Sequence, residues 1–123
     1  MKSFTEIKDG MHIDWDLPIE MDDGLELRAD IFRPIEEGTY PVLITYGPYA
    51  KGLPFQQGYP SAWDRMAEKH PDVTQGSSNK YQNWEVVDPE KWVPDVPRPS
   101  GAFSCIVLHA EFGRNDERIR NGP

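Results

Sequence analysis

The sequence is poor in cysteine and in long apolar runs, and each shortage excludes a class of protein. Cys105 is the one cysteine among 123 residues, so the chain forms no internal disulfide and gives no sign of an oxidising compartment. No run of about 18 uncharged apolar residues occurs, which excludes a membrane-spanning helix. The opening residues, MKSFTEIKD, lack the apolar segment of a signal peptide. A cytoplasmic location is the expectation that follows.

Basic residues are also scarce, because 13 Lys and Arg stand against 21 Asp and Glu, a net charge of −8 at pH 7. Such a surface repels phosphates, so we expect no nucleic-acid partner and favour neutral or cationic ones. Core-forming residues are few as well, since 37% of the sequence is hydrophobic and 12 residues are proline. The length predicts one domain at most.

Two stretches of alternating apolar and polar residues flank a tight-turn sequence near the N-terminus. Their apolar members are Ile13, Trp15, Leu17 and Ile19 in residues 12–20, and Leu25, Leu27, Ala29 and Ile31 in residues 25–31. Alternation with period two predicts strands that keep one face in water. Asp23-Gly24 between them favours a tight turn because glycine accepts a positive φ. The pattern predicts a β-hairpin.

Residues 40–51, YPVLITYGPYAK, hold the segment around which the fold is expected to form. Val42 to Tyr46 contains no charge, and an apolar run bounded by proline and glycine is typical of a parallel strand buried on both faces. The run stops at Gly47-Pro48 and is followed by Tyr49. In open α/β sheets, ligands and catalytic groups collect beyond the C-terminal ends of the strands, so Tyr49 is a candidate functional residue.

A short helix and a long loop are expected next. Ser61 and Asp64 have the spacing of a capping box, and apolar residues from Trp63 onward follow one helical face until Pro71 ends the helix. Residues 71–95 carry turn sequences but many aromatic and aliphatic residues. They predict an ordered insertion that packs on a larger body.

The composition changes at residue 96. Nine basic and 18 acidic residues precede it, whereas four arginines and three acidic residues follow it. We therefore divide the chain into residues 1–95 and a tail of residues 96–123. Cys105–Leu108 could form a strand in this tail, and residues from Gly113 onward have no apolar pattern. The tail is predicted to be disordered or the product of a shifted reading frame.

Several separated phrases in residues 10–95 together resemble one family. They are RADIFRP, PVLITYGPYAK, PSAWDRM and YQNWEVVDPEKWVPD, in that order. The sequence resembles the N-terminal segment of the CocE/NonD hydrolases, the family of cocaine esterase and X-Pro dipeptidyl-peptidase-like enzymes. The resemblance implies an α/β fold and a serine hydrolase for ester or amide bonds, with a Ser–His–Asp triad and without metal or organic cofactor. It also implies that Tyr49 lends its hydroxyl to the oxyanion hole.

The sequence departs from the family pattern after residue 95. VPRPSG stands at 96–101, where the family continues with a glycine, an apolar strand and an Asp-x-Arg-Gly-x-Gly-x-Ser phrase. The nucleophile elbow Gly-x-Ser-x-Gly is also absent, and the nearest sequence is GSSNK at 76–80. The predicted fold is an incomplete α/β-hydrolase: a hairpin, one central strand, a short helix and an ordered insertion. All three triad residues are expected beyond residue 123, so the chain alone is predicted to be inactive.

Other interpretations stay open beside this one. The chain could be a short, non-catalytic, β-rich interaction protein, or a pseudogene product without function. The substrate of the complete enzyme would be a small acyl ester or peptide. The sequence does not indicate the oligomeric state. Lys51 is expected to be a solvated loop lysine, with steering of a substrate carboxylate as the alternative. Structural or solvent-facing roles are expected for His12, His70 and His109, and Cys105 is expected to be a small core residue and not a reactive thiol. The acidic group Asp14, Asp16, Asp22 and Asp23 lacks the spacing of an EF-hand, so no metal site is predicted.

Overall fold

A computed structural model describes residues 3–46, 51–83, 86–94 and 104–112. It contains one mixed sheet of five strands, in the order β1-β2-β3-β5-β4. The strands are β1 (Phe4–Lys8), β2 (Met11–Glu20), β3 (Glu26–Arg33), β4 (Val42–Tyr46) and β5 (Ile106–Phe112). The helices are α1 (Phe55–Gly58), α2 (Pro60–Lys69), a 3₁₀ helix (Pro71–Thr74) and α3 (Pro89–Trp92). β5 runs antiparallel to β3 and parallel to β4.

The predicted hairpin is confirmed, since β2 and β3 pair antiparallel on either side of the Asp-Gly turn. The N–H of Gly24 donates to the carbonyl of Met21 at 2.9 Å, and Gly24 has a φ of +83°. The backbone N–H of Leu25 donates to the Asp23 carboxylate at 2.9 Å, which closes the turn. The local turn chemistry therefore sets the register of the hairpin.

The predicted alternation along β2 holds through Trp15, which packs against the core, and is wrong beyond it, because a β-bulge lies between Asp14 and Leu17. Asp16 adopts a φ of +51° at this bulge. Ile13 pairs with Phe32, whereas Leu17 pairs with Ala29. Positions 32 and 29 lie on opposite faces of β3, because side chains alternate along a strand. The extra residue of a bulge causes this reversal, so Leu17 and Ile19 face away from Ile13.

The prediction that Val42–Tyr46 is buried on both faces is also wrong. β4 is the last strand in the sheet order, and Val42, Ile44 and Tyr46 are all exposed on one face. Leu43, on the other face, packs against the core. The parallel pairing with β5 agrees with the predicted strand type. The outer face is open because the insertion packs on the opposite face of the sheet.

The tail contributes a strand to the interior of the sheet. β5 begins one residue after Cys105 and lies between β3 and β4, with Val107 opposite both Phe32 and Leu43. The strand predicted near Cys105–Leu108 is thus present, and residues 104–112 do not follow the expectation of a disordered tail. Apolar residues of β5 fit the core, which accounts for its inclusion. The boundary at residue 96 itself stays a prediction.

Helix α2 ends as predicted, because its last residue is Lys69 and Pro71 follows. Its start differs from the prediction. Pro60 is the first helical residue, so Ser61 lies inside the helix, and no side chain caps the N-terminus. Proline suits the first turn because its missing N–H would have no helical partner there. Trp63 and Met66 are half-buried, in agreement with an apolar face that is only partly covered.

The core lies between one face of the sheet and the insertion. Its buried members are Met11, Ile13, Phe32 and Val107 from the strands and Val86 and Val93 from the insertion. Trp15, Phe32 and Tyr81 pack edge to face or tilted, with ring centroids 5.5 to 6.1 Å apart. The expectation of an ordered insertion that packs through apolar side chains therefore holds for the residues described.

Candidate functional site

The sequence places its functional candidate, Tyr49, just beyond the C-terminal end of β4. Residues 47–50 lie outside the described part of the chain, so the position of the Tyr49 hydroxyl stays a prediction. Lys51 is the next described residue. The side chains around Lys51 therefore form the candidate site.

Lys51 is buried and ion-paired, contrary to the expectation of a solvated lysine. Its Nζ lies 2.8 Å from Oδ1 of Asp16 and 3.2 Å from Oδ1 of Asp30. The three side chains are between 4% and 14% exposed. We call Lys51, Asp16 and Asp30 the lysine cluster. It fastens the backbone at residue 51 to the β2–β3 hairpin.

The β-bulge of β2 is what brings Asp16 into the lysine cluster. At the bulge the N–H of Asp16 donates to Oδ1 of Asp30 at 2.9 Å, and Nη1 of Arg28 donates to the Asp16 carbonyl at 3.1 Å. Burial acts to raise the pKa of the Asp16 carboxyl. The hydrogen bond and charge of Lys51 outweigh that effect, so the pKa lies below its usual value. Asp16 is thus held in its ionised form beside Lys51.

The chain leaves the lysine cluster through a turn that requires glycine. Gly52 has a φ of +81°, a region that residues with a Cβ rarely adopt. The side-chain amide of Asn83 then donates to the carbonyl of Leu53 at 3.0 Å, and the N–H of Phe55 donates to the carbonyl of Gln82 at 2.8 Å. The segment that follows the candidate site is therefore fixed to the insertion.

A small cavity of about 20 Å³ lies beside the lysine cluster. Asp30, Tyr81, Asn83 and His109 contribute to its lining. This volume suits one water molecule and is too small for an organic substrate. His109 lies in register with Asp30 on β3 and is buried, which fits the structural role expected for it.

Tyr81 and Asp9 join the insertion to the β1–β2 turn. The Tyr81 hydroxyl donates to the Asp9 carboxylate. Burial, followed by the hydrogen bond to Asp9, raises the pKa of the Tyr81 phenol well above its usual value. The hydrogen bond from Tyr81 in turn lowers the pKa of Asp9. The hydrogen bond from the phenol to the carboxylate thus contributes to both pKa shifts, and burial is the larger cause for Tyr81.

The other candidates of the sequence occupy structural positions. His12 hydrogen-bonds to Nη2 of Arg33 at 2.9 Å on the outer face of the sheet, and His70 is exposed at the end of α2. Cys105 is buried, as expected of a small core residue. Across the described ranges, no group of three or more His, Cys, Asp or Glu is arranged to hold a metal ion. None of the described helices is long and apolar enough to cross a membrane.

No protein-family model and no curated protein matches the sequence. Two crystal structures of a CocE/NonD family hydrolase from Staphylococcus aureus do match, at 25% sequence identity over 81% of this chain. Their TM-scores are 0.55 and 0.53. The chain is similar to the CocE/NonD hydrolases. It spans 15% of the length of those two hydrolase chains and corresponds to an N-terminal segment of them.

The lysine cluster contains residues that the local sequence pattern did not identify. The sequence segments that carry the resemblance include Asp30 and Lys51. The alternating pattern nevertheless predicted that Asp30 faces the solvent, and the position of Lys51 in a loop predicted that its side chain is exposed. Asp16 gave no signal either, because the apolar alternation of residues 12–20 continues unbroken through the bulge. Only the resemblance could have drawn attention to Asp30 and Lys51 together.

Proposed function

We propose that this chain is the N-terminal part of a serine hydrolase that cleaves acyl ester or amide bonds when complete. The observation that supports the proposal most is the similarity over 81% of the chain to the CocE/NonD hydrolase structures. The five-stranded mixed sheet supplies the first strands of an α/β-hydrolase fold in this proposal. Small acyl esters or peptides are the proposed substrates of the complete enzyme.

We assign to Tyr49 the role of an oxyanion donor in that enzyme. Acyl transfer passes through a tetrahedral oxyanion, and a fixed donor directed at it contributes about 2.7–4 kcal/mol. A phenol serves well because it remains protonated at neutral pH. Lys51, two residues later in the sequence, is held by two carboxylates, so the described chain resumes after Tyr49 at a fixed position.

The chain alone is proposed to be inactive, since a donor without a nucleophile and a base cannot open an acyl bond. The purified chain should hydrolyse a small chromogenic ester no faster than its Tyr49→Phe variant. Turnover by the chain that disappears when one of its own residues is replaced would contradict the proposal.

A chimera tests the role of Tyr49 directly. This chain would replace the matching N-terminal segment of the Staphylococcus aureus hydrolase, and ester hydrolysis would be followed. Tyr49→Phe should lower kcat by about 10²–10³-fold, the effect of losing one oxyanion donor. Tyr46→Phe, a matched replacement on the exposed face of β4, should change kcat little. Equal rates for the two variants would remove Tyr49 from the mechanism.

The second candidate function is a non-catalytic interaction protein, favoured by the exposed apolar residues of β4. A pull-down that recovers one saturable partner, lost on replacement of β4 residues, would support it.

The origin of the tail is tested separately. We propose a shifted reading frame after residue 95, and sequencing the transcript across codons 90–100 should reveal it. An uninterrupted frame there would contradict that proposal.

A further inference from the structure

A histidine, an aspartate and an arginine are in contact on the outer face of the β2–β3 hairpin. His12 and Asp14 lie two residues apart on β2 and therefore share a face, and Arg33 is the register partner of His12 on β3. Nη2 of Arg33 lies 2.9 Å from Nε2 of His12, and Nε of Arg33 lies 3.4 Å from Oδ2 of Asp14. We call these three side chains the histidine cluster. It is separate from the lysine cluster, because Asp30 and Arg33 point to opposite faces of β3.

The hydrogen bond between His12 and Arg33 is compatible with only one protonation state of the imidazole. An arginine guanidinium carries donors and no acceptor. Nε2 of His12 therefore accepts the hydrogen bond, and the proton of the neutral ring is on Nδ1. A protonated imidazole has donors at both nitrogens, so it cannot accept a hydrogen bond from Arg33. The arrangement in the structure is thus that of a neutral His12, and uptake of a proton removes its acceptor.

Asp14 offers the protonated imidazole a different partner. Its Oδ1 lies 3.9 Å from Nε2 of His12, about 1 Å beyond a hydrogen bond, and the Thr5 hydroxyl on β1 donates to the same oxygen at 2.6 Å. His12 forms no other ion pair among the described residues, and β1 places the apolar Ile7 opposite it. The side chain of Arg33 is 38% exposed, against 23% for His12 and 16% for Asp14. Arg33 is therefore the member that can turn into water.

We propose that the histidine cluster is a pH-sensitive switch in which Asp14 exchanges one cationic partner for another. With His12 neutral, Arg33 bridges from β3 to both residues of β2, as in the structure. When the imidazole takes up a proton, two cations face each other across the 2.9 Å contact. Arg33 then turns into water, and the protonated Nε2 of His12 donates to Asp14. The exchange opens the side-chain bridge between the two strands and adds one positive charge to this face, which changes how the face attracts charged partners.

NMR of the side-chain nitrogens of the full chain tests the proposal between pH 8 and pH 5, the range in which histidine side chains change charge. At pH 8 the ring of His12 should carry its proton on Nδ1. On acidification the guanidinium signals of Arg33 should shift with the same midpoint as the signals of His12. His70, which is exposed at the end of α2, is the internal reference, because its own titration should not move the Arg33 signals. His12→Gln identifies the His12 signals and should abolish the shift of Arg33, since glutamine keeps an acceptor but does not titrate.

Two substitutions with opposite effects give a second measurement. Asp14→Asn removes the anion that receives the protonated ring and should lower the titration midpoint of His12 by about 0.5–1 pH unit, the size expected for charges about 4 Å apart beside water. Arg33→Gln removes the competing cation and should raise that midpoint by a similar amount. Thr5→Val, which removes a hydroxyl but no charge, is the matched control and should move the midpoint less than either.

Three results would overturn the switch. The first is a neutral His12 that carries its proton on Nε2 at pH 8. The second is an Arg33 whose signals do not follow the titration of His12, which the unsubstituted chain alone reveals. The third is a midpoint of His12 that Asp14→Asn and Arg33→Gln move in the same direction or leave unchanged.

Discussion

Replacing Lys51 by methionine measures how much the lysine cluster contributes to folding. Methionine keeps an unbranched side chain of similar length, but it leaves Asp16 and Asp30 buried without their cation. Removal of one partner from a buried ion pair costs about 3–5 kcal/mol, because the remaining charge is uncompensated. The total free energy of unfolding of a small domain is about 5–15 kcal/mol. We therefore expect Lys51→Met to remove a large part of the stability.

Urea unfolding followed by tryptophan fluorescence is the assay. With a slope of about 1–3 kcal/mol per molar urea, a loss of this size moves the midpoint down by at least about 1 M. Lys80→Met is the matched control, since Nζ of Lys80 pairs with Asp9 at 3.5 Å and is half-exposed. Such a surface pair contributes about 0–1 kcal/mol. Equal midpoints for the two variants would refute the argument that burial makes the lysine cluster important.

A triple variant separates charge from packing. Lys51→Met combined with Asp16→Asn and Asp30→Asn removes the cation and both anions together. Replacing all members of a buried ionic group costs less than leaving one charge unpaired. The triple variant should therefore unfold at a higher urea concentration than Lys51→Met alone. A midpoint below that of Lys51→Met would show that lost packing, and not uncompensated charge, causes the destabilisation.

Three further predictions concern pH and the hairpin turn. The pKa of Asp16 is lowered in the folded state from its ordinary value of 3.8, so the stability that the Asp16 carboxylate contributes is present above that pH and is lost as the pH falls further. Asp16→Asn should therefore make the urea midpoint less dependent on pH between pH 5 and 2. The pKa of the Tyr81 phenol is raised from 10.0 in the folded state, so the stability that the protonated phenol contributes is present below pH 10 and is lost at higher pH. Tyr81→Phe should therefore reduce the loss of stability above pH 10. Gly24→Ala should cost about 1–2 kcal/mol in urea unfolding because Gly24 has a φ of +83°; an unchanged midpoint would show that the turn rearranges.

Local chemistry predicted the parts of the fold that depend on neighbours in sequence. The Asp23-Gly24 turn, the pairing of its two strands and the end of α2 before Pro71 all follow from conformational preferences of a few residues. Those preferences are short-range, and they hold wherever the tertiary structure does not oppose them. The apolar content of Val42–Tyr46 likewise predicted a strand and its parallel pairing.

The parts that sequence analysis could not predict depend on contacts between distant residues. A bulge at Asp16 reverses the facing of β2 without any change in the apolar pattern. Asp30 and Lys51 can be buried because each side chain neutralises the charge of the other. They lie 21 residues apart in the sequence, so the residues around either position do not predict its burial. The exposure of β4 depends on which face the insertion covers, and nothing in residues 42–46 specifies that.

The place of β5 in the sheet has a consequence for synthesis of the chain. Among the described strands β5 is the last to be made, yet it separates β3 from β4. Ribosomes add about 5–20 residues per second, so roughly 3–12 seconds pass between the emergence of Tyr46 and that of Ile106. During this interval the hairpin can close, but β4 has no strand to join and is available to chaperones. Chains that stop before Ile106 would lack β5, the strand with which β4 pairs.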